Sequence, residues 1–468
     1  MRLIDMNRVK QLFKNTLIFG IGNIGSKLIQ FIAVPMFTFF LTTKEYGEAD
    51  LLTTMVSLAL PFFSLCLYDA ILRFIIDDPS NEESIISSAI FVTGILVGIL
   101  TIIDLFLMFL NVPNIFLYRL AIAFLIVQVI QSLLAQYMKA IGKNWLYSIN
   151  GLLLSVLILL LSLLFFQFDG NKVYWYFYAQ IAAYVISIIF IEVCLMKRIV
   201  FRLASVRKSW IKKLTMYSLP LIPNQIMWWV MNASDRLLVT YFLGLSINGI
   251  YAIAAKIPSL TNVVITIFMQ AWQLSSFENA NNKDRNIFFS SVFNNLLFVL
   301  VLFSSIIMTF LMAIMTIIAS KSYYSAWEYV PMLLLGGIFS NMSMFLGTNY
   351  LVGKNTGGIF RTSIIGAVLN VGLNIFLIPK LGANGASIST LVSYLVVCLI
   401  RLFETNRLIH INIDYRLLLS ATIILLTQIG CLYAHAFVAQ IIFPILVLLI
   451  NYKYVFNAVK VGKNIMNR

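Results

Sequence analysis

Fourteen apolar runs follow one another along this 468-residue chain. Each is long enough to cross a hydrocarbon core of about 30 Å as a helix. They fall at about 16–41, 46–72, 85–110, 115–138, 146–167, 173–196, 214–242, 247–272, 287–318, 326–352, 359–379, 384–403, 416–436 and 438–457. Only helices and closed barrels satisfy their own backbone in lipid, and these runs far exceed the ~9–11 residues of a barrel strand. The expected fold is therefore all-α and polytopic, with about fourteen transmembrane helices. Composition agrees: 11% charged residues, against about 25% in soluble domains, would leave a soluble surface bare. The first run is too long for a signal-peptide core and no small-residue cleavage site follows it, so it is expected to stay attached. Ahead of it, RLIDMNRVKQLFK alternates basic and apolar residues and is expected to lie along the membrane surface.

An even number of spans puts both ends on one side. With the N-terminus in the cytoplasm, Lys and Arg favour the inner loops and ends roughly fivefold. Only Lys44, Arg119, Lys172, Lys321 and Lys380 then lie outside. Both termini are accordingly expected inside. The net charge of +15 is spread along the chain rather than gathered on one face, which argues against a nucleic-acid partner and for membrane lipids.

The richest basic segment, KRIVFRLASVRKSWIKK, separates six spans from eight. The parts look alike: GKN follows the fourth span and again the tenth, and TTKEYGEADLL after the first parallels GLSINGIYAIA after the seventh. The expected organisation is an N-terminal lobe at 1–198, a basic cytoplasmic linker at 199–213, a C-terminal lobe at 214–410, and two further helices with a basic tail at 411–468. Two parallel six-helix lobes of this kind enclose a central cavity in transporters.

Several motifs carry no chemistry. FGIGNIG spells GxGxxG but follows no strand, so close helix packing is the better reading. GKN lacks the spacing of a phosphate loop. Cys66, Cys194, Cys398 and Cys431 are scattered through apolar runs, without metal or redox spacing. His410 and His435 have no ligand-like neighbours. Outer loops are too short for an acceptor site, and no catalytic triad appears, so no enzyme is expected. No cofactor is implied. Uphill transport would draw on a proton or sodium gradient, or on consumption of the product.

Charges inside the spans are the informative residues, since each costs roughly 2.5–3.5 kcal/mol near a helix centre. Lys27 lies about eleven residues into its span, near the midplane at ~1.5 Å per residue. Asp235 and Lys256 flank the turn near Ser246 at equal depth and are candidates for an ion pair, with Arg236 turned elsewhere. Lys27, Arg236 and Lys256 are candidate ligands for an anionic headgroup. Arg73 is either the i,i+4 partner of Asp69 or an entry-site cation. Asp104 and Glu192 are candidate proton or cation couplers, or simply reach water near span ends. Pro35, Pro220, Pro223, Pro258 and Pro379 mark kinks or hinges.

The stretches LTTKEYGEADLL, LYDAILRF, YSLPLIPNQI, SDRLLVTYFLGLSINGIYAIAAKIP and IPKLGANGASISTLVSYL together resemble polysaccharide repeat-unit flippases of the Wzx type. These belong to the multidrug/oligosaccharidyl-lipid/polysaccharide exporter superfamily. The resemblance covers the first twelve spans. It implies a two-lobed fold in the bacterial cytoplasmic membrane that moves a sugar chain on undecaprenyl pyrophosphate to the outer leaflet, for capsule, exopolysaccharide or O-antigen. It also implies cavity cations that hold the pyrophosphate, at Lys27 and Lys256 here, and a polysaccharide polymerase as a partner. Lys replaces the Arg that relatives often carry, supplying a point charge rather than a fork. A lipid II-type flippase and a drug/cation antiporter of the same superfamily are the alternatives. An antiporter would want deep carboxylates in the first lobe, where Lys27 is the deepest charge.

Overall fold

The computed structural model describes residues 24–110, 113–195, 201–278, 282, 284–353 and 356–454. The amphipathic N-terminal segment, most of the GxGxxG stretch, the start of the basic linker, two residues of the second GKN and the basic tail lie outside them. Among the described residues there are helices and no strand. By its internal contacts the chain forms two compact units, Met1–Thr240 with Gly244–Gly249, and Tyr241–Leu243 with Ile250–Arg468.

The first unit contains α1 (Ile24–Phe40), α2 (Thr43–Ser64), α3 (Leu67–Asp77), α4 (Glu82–Leu107), α5 (Ile115–Ala140), α6 (Asn144–Phe165), α7 (Lys172–Leu195), α8 (Lys208–Ser218) and nearly all of α9 (Leu221–Leu243). α2 begins where Thr42 and Glu45 form a reciprocal capping box, each satisfying a backbone N–H of the first turn. α5 is the central element, packing against α2, α3, α4 and α7. Its Leu133, Leu134, Tyr137 and Met138 meet Ile71 and Ile75 of α3, Ile85 and Ile86 of α4, and Ile191 of α7. Trp210 and Leu214 bring α8 into the same core. The described part of the basic linker is docked on this unit: Arg202 and Ser205 bond Glu83, and the Arg207 amide bonds Ser88.

The second unit contains most of α10 (Leu245–Glu278), then α11 (Arg285–Thr309), α12 (Leu311–Ile318), α13 (Val330–Val352), α14 (Thr356–Leu381), α15 (Ala383–Thr405), α16 (Tyr415–Tyr433) and α17 (Ile442–Ile450). Its densest packing joins α15 to α13 and α14. Trp272 of α10 stacks on Phe345 of α13 at 4.6 Å and donates to Thr348 at 2.9 Å.

Each of the fourteen apolar runs coincides with helix in the described residues, and nine of these helices are long and apolar enough to span a membrane singly. Among the described residues, the second, seventh and ninth runs are broken rather than continuous. The second bends by 46° between α2 and α3, where Leu65 and Cys66 both take left-handed backbone angles. The seventh divides into α8 and α9 at Pro220, whose ring lacks the N–H to continue a helix. The ninth breaks at Phe310. There Thr309 bonds the Gln440 carbonyl, and Gln428 of α16 exchanges hydrogen bonds with Ser305.

The two repeated turns meet inside the first unit. Residues 244–249 belong to it, and Asn248 donates to the Gly47 carbonyl at 3.0 Å. Gly47 and Gly249 occupy equivalent places in TTKEYGEADLL and GLSINGIYAIA.

Candidate functional site

Arg236 projects from α9 toward α2. Its Nη1 lies 3.2 Å from Asp50 Oδ1 and 3.5 Å from Thr54 Oγ1. Asp50 is buried at 8% exposure, and its Oδ2 has no hydrogen-bond partner in the described residues. Two turns earlier on α9, Trp229 donates to Ser57 Oγ at 2.8 Å and to the Thr54 carbonyl. A buried carboxylate without its cation is costly, so Arg236 is held where a lone arginine would not stay. Asp50 is a partner that spacing along α9 could not reveal. Asp235 is buried and accepts from the Arg236 amide at 3.0 Å. It belongs to the first unit and Lys256 to the second.

A second polar locus lies wholly within the first unit. α1, α3, α5 and α6 border a partly open cavity of about 330 Å³ lined by Ser26, Asp69, Gln131, Gln136, Tyr147 and Asn150, among others. Part of the lining is fixed by a hydrogen-bond chain across three helices. Gln131 donates to Ser187 at 3.3 Å, and Ser187 donates to Asn150 at 2.8 Å. Lys139 is near enough to Asp69 to interact electrostatically, and its Nζ sits 5.6 Å from the centre of the Tyr147 ring. The three glutamines Gln128, Gln131 and Gln136 recur along α5 with near-helical spacing, the one signal by which the sequence could have marked this face.

The remaining sequence candidates are dispersed. Lys27 is exposed on α1, next to Ser26, and reaches Gln30 at 3.5 Å. Lys256 is half-buried on α10, two residues before Pro258. The expected Arg73–Asp69 pair is not formed. Arg73 instead bonds Asp77 at 2.8 Å, one turn further along α3, while Asp69 faces the cavity. Asp104 is engaged by Arg119 in a two-pronged pair at 3.1 and 3.2 Å, a geometry suited to a guanidinium. Glu192 is exposed in the last turn of α7.

The second unit holds a buried cation that sequence reasoning did not single out. Arg401 of α15, 8% exposed, donates to Thr362 at 3.0 Å, the Ser343 carbonyl at 2.8 Å and Ser363 at 3.1 Å. These partners are all uncharged. Its position near the end of a predicted span made it look like an ordinary inner-loop charge.

The fold and these polar loci can be set against known proteins. A family model described as polysaccharide biosynthesis protein matches residues 12–273, more than half of the chain.

The chain belongs to that family.

The resemblance drawn from its motifs is thereby borne out. The matched region takes in α1 through most of α10, so the Arg236–Asp50 pair and the polar cavity both lie inside the polysaccharide biosynthesis region. Two curated relatives are similar at lower coverage. One is the probable low-salt glycan biosynthesis flippase Agl15 of Haloferax volcanii, 27% identical over 205 residues, covering 42% of this chain and 43% of that protein. The other is an uncharacterized membrane protein of Methanocaldococcus jannaschii, 26% identical over 181 residues, covering 38% of this chain and 36% of that one. The matched stretch thus spans less than half the length of either relative. Among solved structures, the lipid II flippase MurJ in an inward closed conformation aligns over 95% of this chain and 99% of its own, with TM-score 0.69 and 15% identity. An inward-facing multidrug resistance MATE transporter of the MOP superfamily aligns over 82% and 95%, with TM-score 0.67 and 16% identity. At such identities these likenesses establish a shared polytopic helical fold.

Proposed function

We propose that this protein is a flippase that carries an oligosaccharide repeat unit, linked to undecaprenyl pyrophosphate, from the inner to the outer leaflet of a bacterial cytoplasmic membrane. It works by alternating access and feeds a surface polysaccharide, with both termini in the cytoplasm and the polymerase machinery as partner on the far side. The observation that carries this reading is the family match across residues 12–273. The fold likeness to a lipid II flippase over nearly its whole length supports it, as does the name of the Haloferax relative.

The physics of the cargo suits the chain. A diphosphate crossing hydrocarbon needs positive charge, and a sugar needs polar walls while the polyprenyl tail stays in lipid. Lys27, Arg236 and Lys256 are the proposed pyrophosphate ligands, with Arg73 at the entry side. Arg236 has a built-in counter-charge in Asp50, which keeps it from standing uncompensated before substrate arrives. Coupling to a proton or sodium gradient is proposed in place of a cofactor, with Asp104, held by Arg119, and Glu192, exposed in the last turn of α7, as the candidate carboxylates. The antiporter alternative gains from Asp69, a carboxylate in a polar cavity of the first unit, and from the MATE-like fold. It loses because Lys139 already lies beside Asp69.

The test is complementation. In a strain lacking this gene, the wild-type chain should restore surface polysaccharide, whereas Lys27→Ala should abolish it at unchanged membrane levels. Full export by Lys27→Ala would remove that lysine from the site. Failure of the wild type to restore polymer, with drug efflux in its place, would favour the antiporter.

A further inference from the structure

The cavity bounded by α1, α3, α5 and α6 is expensive to build in a helical unit of this kind. Amides, hydroxyls and a carboxylate turned into one space cost free energy unless something there hydrogen-bonds with them. Its volume of about 330 Å³ sits at the lower end of the ~300–1,000 Å³ typical of small-ligand sites. That is room for part of an oligosaccharide rather than all of one.

The lining discriminates among the parts of a lipid-linked sugar. A polyprenyl tail would strand every polar group it covered. A pyrophosphate would face the Asp69 carboxylate at close range. An uncharged, hydroxyl-rich ring meets none of these objections. Asp69 supplies acceptors, the Gln136 amide supplies both a donor and an acceptor, and no protein hydrogen bond occupies either side chain among the described residues. The Gln131–Ser187–Asn150 chain fixes two further amides in advance, which lowers the entropy lost on binding. Tyr147 adds an aromatic face to the wall.

We infer that this cavity is a sugar subsite, which receives one or more uncharged sugar residues of the cargo while the cations outside it hold the phosphates. The inference rests on the flippase reading and names which part of the substrate this locus takes. Ser26 in the lining and Lys27 beside it place a hydroxyl and a candidate pyrophosphate ligand on consecutive residues of α1.

The experiment measures binding to the full-length protein in nanodiscs with two probes. One is the lipid-linked repeat unit extracted from the cells that make this protein; the other is bare undecaprenyl pyrophosphate. The wild type should bind the sugar-bearing lipid at least tenfold more tightly. Gln136→Leu, and separately Asp69→Asn, should erase most of that preference while leaving the affinity for the bare lipid unchanged, which also reports that the variants are folded. Equal wild-type affinity for both lipids would overturn the inference. So would a preference that survives both substitutions, or one that disappears only when sodium or pH is changed. Binding of neither lipid by the wild type would remove the flippase reading itself, and the subsite with it.

Discussion

Gly47 and Gly249 hold equivalent positions in two repeated turns, and in the first unit each packs against the backbone of the other's turn. A methyl group on Gly47 would be driven into the Leu245 carbonyl, and one on Gly249 into the Thr43 carbonyl. Thr43 and Leu245 are themselves equivalent in the two turns, so the contact is reciprocal. Backbone cannot yield as a flexible side chain can, and overpacking of this kind costs about 1–3 kcal/mol or more. Gly47→Ala and Gly249→Ala should each lower the melting temperature of the purified protein by several degrees. Gly337→Ala, with open space around it, should change it little.

The ion pair between Arg236 and Asp50 gives a second expectation. Removing only the cation, in Arg236→Ala, leaves a buried carboxylate and should cost about 3–5 kcal/mol. The double variant Arg236→Gln/Asp50→Asn removes both charges and should recover most of that stability. If Arg236 also binds cargo, the double variant will be stable yet impaired in export. Stability and export restored together would make the pair purely structural.

The C-terminal helices offer a test by pH. Asp414, the N-cap of α16, accepts from the amides of Arg416 and Leu417. Tyr454 donates to it at 2.6 Å, and Lys453 pairs with it. Burial pushes its carboxyl upward, but the hydrogen bonds from Lys453 and Tyr454 prevail and hold it at about 2, below the ordinary 3.8. Because the folded value is depressed, this stabilisation is complete above about pH 4 and is lost as pH falls toward 2. It amounts to about 1–2 kcal/mol. Thermal melts between pH 5 and 2 should show that loss in the wild type, and Asp414→Asn should flatten it.

Element positions were largely readable from the chain because the apolar runs have the length a bilayer imposes, so each run became helix. Breaks within runs were not. Leu65 and Cys66 carry no sequence mark of left-handed backbone, and Pro220 read only as a kink. For the site, sequence found some of the costly charges, such as Arg236, but missed Arg401 and Asp50, which are both buried. Asp50 lies 186 residues from Arg236, beyond any spacing argument, whereas Arg73 exchanged its expected partner Asp69 for the equally spaced Asp77. Neutral polar residues escaped for another reason. A glutamine such as Gln136 costs far less in a span than a charge, so a search for charges passed over the face that lines the cavity.

The most direct measurement is leaflet exchange in sealed vesicles. The purified protein, reconstituted with undecaprenyl-pyrophosphate-linked sugar, should move that lipid across the bilayer much faster than protein-free vesicles do. Lys27→Ala, reconstituted at equal density, should fall to the protein-free rate. Wild-type vesicles no faster than empty ones, under either an imposed proton or sodium gradient, would contradict the account.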